Sequence, residues 1–247
     1  MNTAYLNTEN EAFVNSNPRF RKIIEELSND YSFSLHELSH ELSNITTLIN
    51  SSLQLIESSH PEVKNFKYWS STMGDVHYLI ELLTQLSSFN NGEKISLSPI
   101  NLNDILTNII NSFTSDSSYS HIHFLLECGE NIPIINGDSL KLKQVFINLI
   151  KNACESECET ITVRVTQNCN ALTICVQDNG CGIPSQNISQ IFKPMVTYKT
   201  NGTGLGLSIC KRIIMAHHGQ IQCDSIINQG TTFTINLPIM QFEDAAC

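Results

Sequence analysis

Asp178-Asn179-Gly180-Cys181-Gly182-Ile183-Pro184 follows directly on the apolar run Ala171-Leu172-Thr173-Ile174-Cys175-Val176. A β-branched run of this kind reads as a strand, so a carboxylate stands at the end of a buried strand. Leaving such a group unsatisfied costs on the order of 1–3 kcal/mol or more, so Asp178 calls for a partner. Gly180 and Gly182 permit close backbone approach by a flat ligand. Alone, these residues also spell an ordinary Asp-Asn-Gly turn. They do not stand alone. Further along, Thr200-Asn201-Gly202-Thr203-Gly204-Leu205-Gly206-Leu207 opens into the helical run Ser208-Ile209-Cys210-Lys211-Arg212-Ile213-Ile214. Three alternate glycines before a helix N-terminus present bare N–H groups and the positive end of a dipole to a phosphate.

Working outward, a helix is expected over 139–156. Leu142, Val145, Phe146, Leu149, Ile150 and Ala153 form one face, and Gln144, Asn148, Lys151 and Asn152 gather on the other. Asn is a poor helix former, and two of them one turn apart beside a lysine weaken the helix with no local gain. Further helices fit 101–114 and 205–217. Strands fit 122–127, 160–167, 171–177, 219–224 and 231–237, and a glycine-rich loop spans 178–204. The consecutive strands at 160–177 read as hairpin partners. The expected architecture is therefore a mixed sheet with helices on one face, not a purely parallel one. The glycine loop does not follow the first strand of a βαβ unit, so a dinucleotide fingerprint fails. No Gly-Lys-Ser/Thr closes it, so a Walker loop fails too.

The N-terminal part has a different period. Residues 1–18 are polar and Asn-rich and read as a flexible arm. Ile24, Leu27, Tyr31, Leu35, Leu38, Leu42, Ile45, Ile49 and Ile56 then recur at steps of three and four, with Ser52 filling one turn. A break follows at Ser58-Ser59-His60-Pro61, with Pro61 expected to open a second helix. Val63, Phe66, Met73, Val76, Leu83 and Leu86 continue a second seam. The pattern predicts an antiparallel hairpin over 19–92, which leaves much of both seams wet unless two hairpins pair into a four-helix bundle. A homodimer is expected. Residues 93–100 read as a linker with a short strand, 101–240 as a second domain and 241–247 as a tail.

Composition narrows the function classes. The 247 residues are 41% hydrophobic and carry 14 Lys+Arg against 24 Asp+Glu, a net charge of −10. That balance argues against nucleic-acid binding, which runs on phosphate neutralisation. A polyphosphate ligand would need positive charge supplied locally or by a metal. No run approaches a membrane span and no charged start leads into an apolar leader, so a cytoplasmic location is expected. The nine scattered cysteines contain no C-x-x-C pair and read as structural thiols. His121-x-His123 and His217-His218 lack a second ligand pair and are not read as a metal site.

In order along the chain stand Asn148-Leu149-Ile150-Lys151-Asn152-Ala153, Asp178-Asn179-Gly180-Cys181-Gly182, Phe192-Lys193-Pro194 with Thr197-Tyr198-Lys199, and Gly202-Thr203-Gly204-Leu205-Gly206-Leu207. This series resembles the N, G1, F and G2 boxes of the ATPase domain shared by sensor histidine kinases, gyrase, Hsp90 and MutL. The likeness covers roughly residues 100–240. It implies a Bergerat-type α/β sandwich that binds ATP and Mg2+. Asp178 would accept the adenine amino group and Asn148 would ligate Mg2+. Lys151 and Asn152 would contact the phosphates, and Gly202, Gly204 and Gly206 would form a mobile lid with Lys199 as a further phosphate contact. Thr203, Leu205 and Leu207 belong to the same segment.

Leu35-His36-Glu37-Leu38-Ser39-His40-Glu41-Leu42-Ser43-Asn44 is similar to the H box of histidine kinases. His40 lies two residues from both Leu38 and Leu42, hence about 200° from the seam, facing water. The resemblance implies that His40 is the phosphoacceptor. Glu41 would orient the ring and take its proton, and Asn44 would position a water for phosphatase activity. The family usually has Arg-Thr-Pro or Arg-Asn-Pro after His-Glu-Leu. Here Ser43-Asn44-Ile45 stands instead, which removes an expected kink and a charge.

The fold class implied is α+β, a helical hairpin followed by the ATP-binding sandwich. The implied function is histidine autophosphorylation from Mg-ATP and transfer to an aspartate of a response-regulator receiver domain. Two alternatives stay open at this point. One is a phosphotransfer or adaptor protein with weak or no kinase activity. The other is a serine kinase, against which the long hairpin with its outward histidine argues.

Overall fold

The structure is a computed structural model that describes residues 18–92, 94–129, 132–168, 170–199 and 202–239, with side chains from Glu37 onward. The arm and tail expected at the ends, apart from Pro18, lie outside the described residues. So do the side chains of Ile24, Leu27, Tyr31, Leu35 and His36, and residues Thr200 and Asn201. The chain divides into two compact units between Asn90 and Asn91.

The first unit is a helical hairpin. Helix α1 runs unbroken over Pro18–Ser59, and α2 covers Trp69–Asn90. Pro61 does not open the second long helix. It starts a 3-10 turn over Pro61–Asn65, and Phe66 then takes an extended conformation before α2 begins.

The contact between α1 and α2 differs from the expected seam. On α1 the buried positions are Ser39 and Thr46, at 1% and 3% exposure, with Ser43, Asn50, Leu53 and Glu57 half-buried at the same three-and-four spacing. The Thr46 hydroxyl is satisfied within its own helix, donating to Leu42 O at 2.7 Å. Leu38, Leu42, Ile45, Ile49 and Ile56, which carry the sequence periodicity, are 43–55% exposed. Small side chains let α2 lie close, so the apolar stripe falls beside the contact instead of in it. On α2, Leu83 is buried and Met73, Val76 and Leu86 are half-buried.

The second unit is a five-stranded mixed sheet in the order β2-β4-β5-β7-β6, with β2–β4 parallel and the other pairs antiparallel. The strands are β2 (His123–Cys128), β4 (Thr160–Asn168), β5 (Ala171–Asp178), β6 (Gln220–Ile226) and β7 (Gly230–Pro238). Alternation sends Ile161, Val163, Val165, Leu172, Ile174, Val176, Phe233, Ile235 and Leu237 into one buried face. Helices α3 (Leu102–Thr114), α4 (Ser139–Cys154) and α6 (Gly206–Ala216) cover that face. Leu142, Val145, Phe146, Leu149 and Ile150 of α4 and Ile209, Cys210, Ile213 and Ile214 of α6 are all at 0% exposure. Besides 3-10 turns such as Ser117–Tyr119, two elements were not expected from the sequence. These are β3 (Ile135–Gly137), which pairs antiparallel with β1 (Ser98–Ile100) of the linker, and the short helix α5 (Ser185–Ile188).

Asp138 is the N-cap of α4, its Oδ1 accepting from Lys141 N at 3.0 Å. Its Oδ2 accepts from Ser96 N at 2.9 Å, which stitches the linker to the helix. Burial raises the carboxyl's pKa, but N–H bonds from Ser96, Lys141 and Leu140 outweigh it and hold the group below its ordinary 3.8. A depressed carboxyl stabilises above its unfolded pKa and loses that contribution as pH falls through the folded one. Asp138→Ala is therefore expected to cost about 1–2 kcal/mol at neutral pH. In urea titrations the gap to wild type should close as pH drops below about 3.8.

Candidate functional site

In the hairpin unit, His40, Glu41 and Asn44 are all exposed on α1. Asn44 stands one helical turn after His40, and its amide nitrogen lies 3.3 Å from His40 Nδ1. At about 100° per residue, His40 points away from the stripe of Leu38, Leu42, Ile45 and Ile49. Ser39, its neighbour, is turned into the α1–α2 contact.

In the second unit the sequence-predicted residues converge on the C-terminal half of α4. Asp178 closes β5, the strand hydrogen-bonded between β4 and β7, and is 4% exposed on the face that carries Ile174 and Val176. Its Oδ1 accepts from Gly180 N at 2.9 Å and lies 3.0 Å from the Ser156 hydroxyl. Burial raises the Asp178 pKa, with the Gly180 N–H, Ser156, the Thr231 N–H and the Lys199 charge pulling it back down. Asn179 turns its Oδ1 the other way, accepting from Glu159 N and Thr160 N at 3.0 and 2.9 Å and pinning the loop to the start of β4.

The loop glycines answer to the protein itself. A Cβ on Gly180 would stand 2.0 Å from Ser156 Oγ, and one on Gly182 would stand 2.2 Å from Ile226 O. Their missing side chains let the loop pack against the end of α4 and against β6.

Asn148 is half-buried, its Nδ2 3.5 Å from Gly206 O, so the first residue of α6 faces α4. Asn152 is half-buried and its Oδ1 accepts from Lys199 Nζ at 3.0 Å. Lys199 also pairs with Glu155 Oε2 at 2.5 Å. Lys151 is exposed on the same rim. Before α6, Thr203 Oγ1 accepts from Leu205 N at 3.3 Å, Leu205 is buried and Leu207 half-buried. Gly204 has φ +68, and a Cβ there would meet the Met195 backbone at 2.5 Å. A Cβ on Gly202 would meet Thr197 Oγ1, whereas one on Gly206 would make only ordinary contact, 3.9 Å from Asn148 Nδ2. No side chain caps the N-terminus of α6.

The structure thus brings Asn148, Lys151, Asn152, Asp178 and Lys199 to one end of α4, with the glycine segment ahead of α6 beside them. Sequence reasoning missed Glu155 and Ser156, which continue the polar side of α4 three and four residues past Asn152. The chemistry of this set is a buried acceptor at one end, amide oxygens and lysines at the other, and uncapped helix N–H groups between them.

Residues 137–241 match the family described as histidine kinase-, DNA gyrase B- and HSP90-like ATPase. Sporulation kinase C of Bacillus subtilis (strain 168) is 31% identical over 205 residues, covering 82% of this chain and 47% of that protein. Sporulation kinase A of the same organism is 36% identical over 200 residues, covering 80% of this chain and 28% of that protein. The chain spans less than half the length of these curated relatives. Among solved structures, full-length ShkA in complex with AMPPNP shares the fold at a TM-score of 0.72 and 22% identity, over 84% of this chain and 46% of that one. The catalytic domain of the histidine kinase ThkA is 32% identical at a TM-score of 0.54, over 58% of this chain and 96% of that domain. With a buried strand-end carboxylate, an asparagine-bearing helix and a glycine segment arranged as above, this chain belongs to the histidine kinase-type ATPase family and is built as a sensor histidine kinase core.

Proposed function

We propose that the chain is an ATP-dependent protein-histidine kinase that phosphorylates His40 and passes the phosphoryl group to an aspartate of a receiver domain. The observation that carries this is the union, in one chain, of an ATPase-family site with an exposed imidazole touched by Asn44. An adaptor that had lost catalysis would have no use for Asn148, Asp178 and the uncapped α6 together.

In this reading Asp178 accepts the exocyclic amino group of adenine, since Oδ1 is already held and the ionised carboxylate accepts further. Asn148 holds Mg2+ through its amide oxygen, a donor that suits a hard cation. The fit rests on the donor set, an amide side chain beside a helix N-terminus that no side chain caps. Mg2+ supplies charge neutralisation on the phosphates. Lys151, Asn152 and Lys199 orient them, and residues 202–207 form the lid. Lys199 already reaches Asn152 and Glu155, so the lid lysine lies on the rim where phosphate charge would draw it.

His40 attacks the γ-phosphorus with a neutral ring nitrogen. An N–P bond forms, the bond to the leaving oxygen breaks and ADP departs, while Glu41 takes the ring proton. The amide of Asn44 has the same shape in either orientation. Turned with Oδ1 toward Nδ1, it accepts that N–H and leaves the Nε2 lone pair as nucleophile, and the Nδ1 proton passes to Glu41 once the N–P bond has made the ring cationic. In the second step the receiver aspartate attacks phosphorus, the N–P bond breaks and the imidazole regains a proton. Asn44 also holds the water that hydrolyses the acyl phosphate of the receiver. Catalysis throughout is positioning plus charge stabilisation.

The acting unit is a homodimer. The exposed stripe of α1 is the face that pairs, and it leaves His40 open because His40 points the opposite way. Among the described residues no helix is long and apolar enough to cross a membrane.

Incubation with ATP labelled at the γ-phosphate should give acid-labile, alkali-stable label that His40→Gln abolishes and that chases onto a receiver domain. Label found only as phosphoserine would reject the reading. Asp178→Asn turns an acceptor into a partial donor and should weaken ATP binding at least tenfold by calorimetry. Ile45→Glu should convert a sedimenting dimer to monomer while leaving ATP binding unchanged. A wild-type chain that sediments as monomer at micromolar concentration would exclude the pairing face.

A further inference from the structure

We infer that Ser156, which no family motif marks, is a positioning residue for the purine. Its hydroxyl fixes the Asp178 carboxylate so that an amino-purine is accepted and an oxo-purine is refused. This rests on the reading of Asp178 as the adenine acceptor.

Ser156 has one hydroxyl proton and two acceptors within reach. One is Ala153 O at 2.8 Å, the other Asp178 Oδ1 at 3.0 Å. Ala153 O is already supplied by the backbone N–H groups of Ser156, at 3.0 Å, and Glu155. Cys158 Sγ adds a further contact to it at 3.2 Å. The carboxylate oxygen has the stronger claim, because a hydrogen bond to a charged acceptor is about twice as strong as a neutral one.

The hydroxyl is held in place from both sides. Ser156 O accepts from Cys181 N at 2.8 Å, so the residue clamps the loop that carries Asp178 by backbone as well as by side chain. A Cβ on Gly180 would fall on the hydroxyl, so only glycine leaves it room there. With Ser156 and Gly180 N both on Oδ1, the carboxyl plane is set and further accepting capacity rests on the other oxygen.

An ionised carboxylate only accepts, so it matches an exocyclic amino group and repels an exocyclic oxygen. A protonated carboxyl could donate to that oxygen and would blur the choice. Burial pushes Asp178 toward the protonated form, and the Ser156 hydroxyl opposes it. The charged and titratable neighbours are Lys199 before α6, whose charge also opposes it, Cys158 after α4, and Cys223 on β6. Burial raises both thiols, Cys223 to about 12, so neither titrates near neutrality. Removing the hydroxyl therefore raises the Asp178 pKa further, and binding that needs the carboxylate is lost at a higher pH on acidification.

The test uses the full chain with Ser156→Ala, Ser156→Thr and Asp178→Asn, titrated with ATP and with inosine triphosphate from about pH 5 to about pH 8. Ser156→Ala should weaken ATP about fivefold, the equivalent of one hydrogen bond. It should also narrow the ATP-to-inosine-triphosphate ratio and move the acid limb of ATP binding to higher pH. Ser156→Thr, which keeps the hydroxyl, should restore ratio and limb. A purely structural residue would change melting temperature without moving either. If Asp178→Asn loses ATP while Ser156→Ala keeps the wild-type ratio and acid limb, the inference about Ser156 is wrong and the adenine reading stands. If Asp178→Asn binds ATP as wild type does, the adenine reading fails and the inference fails with it.

Discussion

A carboxylate with 4% exposure at the end of β5 constrains everything around it. It cannot be left dry and unpartnered, and its partners come from three places: Ser156 just beyond α4, Gly180 in the loop and Thr231 opposite it on β7. Each demand sets a geometry. α4 must end where its last turn reaches β5, which Glu155 as C-cap achieves. The loop must fold back tightly enough that residue 180 carries no side chain. β7 must pair in the register that puts Thr231 against Asp178. The mixed sheet order follows from this, because β5 needs neighbours on both sides to bury its end.

The hairpin obeys a different rule. On α1 its internal contact is made by Ser39, Ser43, Thr46, Asn50, Leu53 and Glu57, and of these only Leu53 is apolar and contributes much hydrophobic free energy. The apolar stripe that could stabilise it lies beside the contact, in water. A helix pair with that arrangement gains most of its stability from whatever covers the stripe. The stripe and His40 lie on opposite sides of α1, so covering the stripe leaves His40 exposed. Polar residues in the internal contact are what rotate the helix into that setting.

Much of the second unit was legible because its signals are local. The alternation over 171–177 predicts a strand, and Ala171–Asp178 is one. The two faces of α4 divide as the helical period requires, the apolar one buried and the polar one half-buried at Gln144, Asn148 and Asn152 and exposed at Lys151. The elements missed carry no period: Ile135–Gly137 is three residues long and Ser185–Ile188 a single turn. Pro61 is expected to open the second long helix, but proline suits a 3-10 turn as well, and such a turn forms over Pro61–Asn65 before α2 begins at Trp69. In the hairpin, periodicity found the most apolar stripe, yet it carries no information about which stripe meets the chain's own second helix. Ser156 was illegible for another reason. A serine after a helix end is commonplace, and its meaning lies in a partner twenty-two residues away.

α4 also decides how the neighbouring α6 can move. At its N-terminal end Asp138 N donates to His217 Nε2 at 2.9 Å, and His217 Nδ1 lies 2.8 Å from Ile213 O, which ties the C-terminus of α6 to the α4 cap. His217 is 5% exposed, and accepting on Nε2 makes its Nδ1 the protonated nitrogen. At the other end Asn148 meets Gly206 O. α6 is held to α4 at both ends, and Ile209, Cys210, Ile213 and Ile214 fill the space between at 0% exposure. Tilting α6 would break both ties and open a packed core. Freedom to rearrange beside α6 therefore falls to the residues before Gly206, where Gly204 at φ +68 holds a backbone conformation other residues resist. Asn91, whose carbonyl accepts from Lys141 Nζ at 3.1 Å, and Ser96 on Asp138 bring the linker to that same α4 cap. The linker is thus fastened to the end of α4 that α6 also meets, away from the glycine segment ahead of α6.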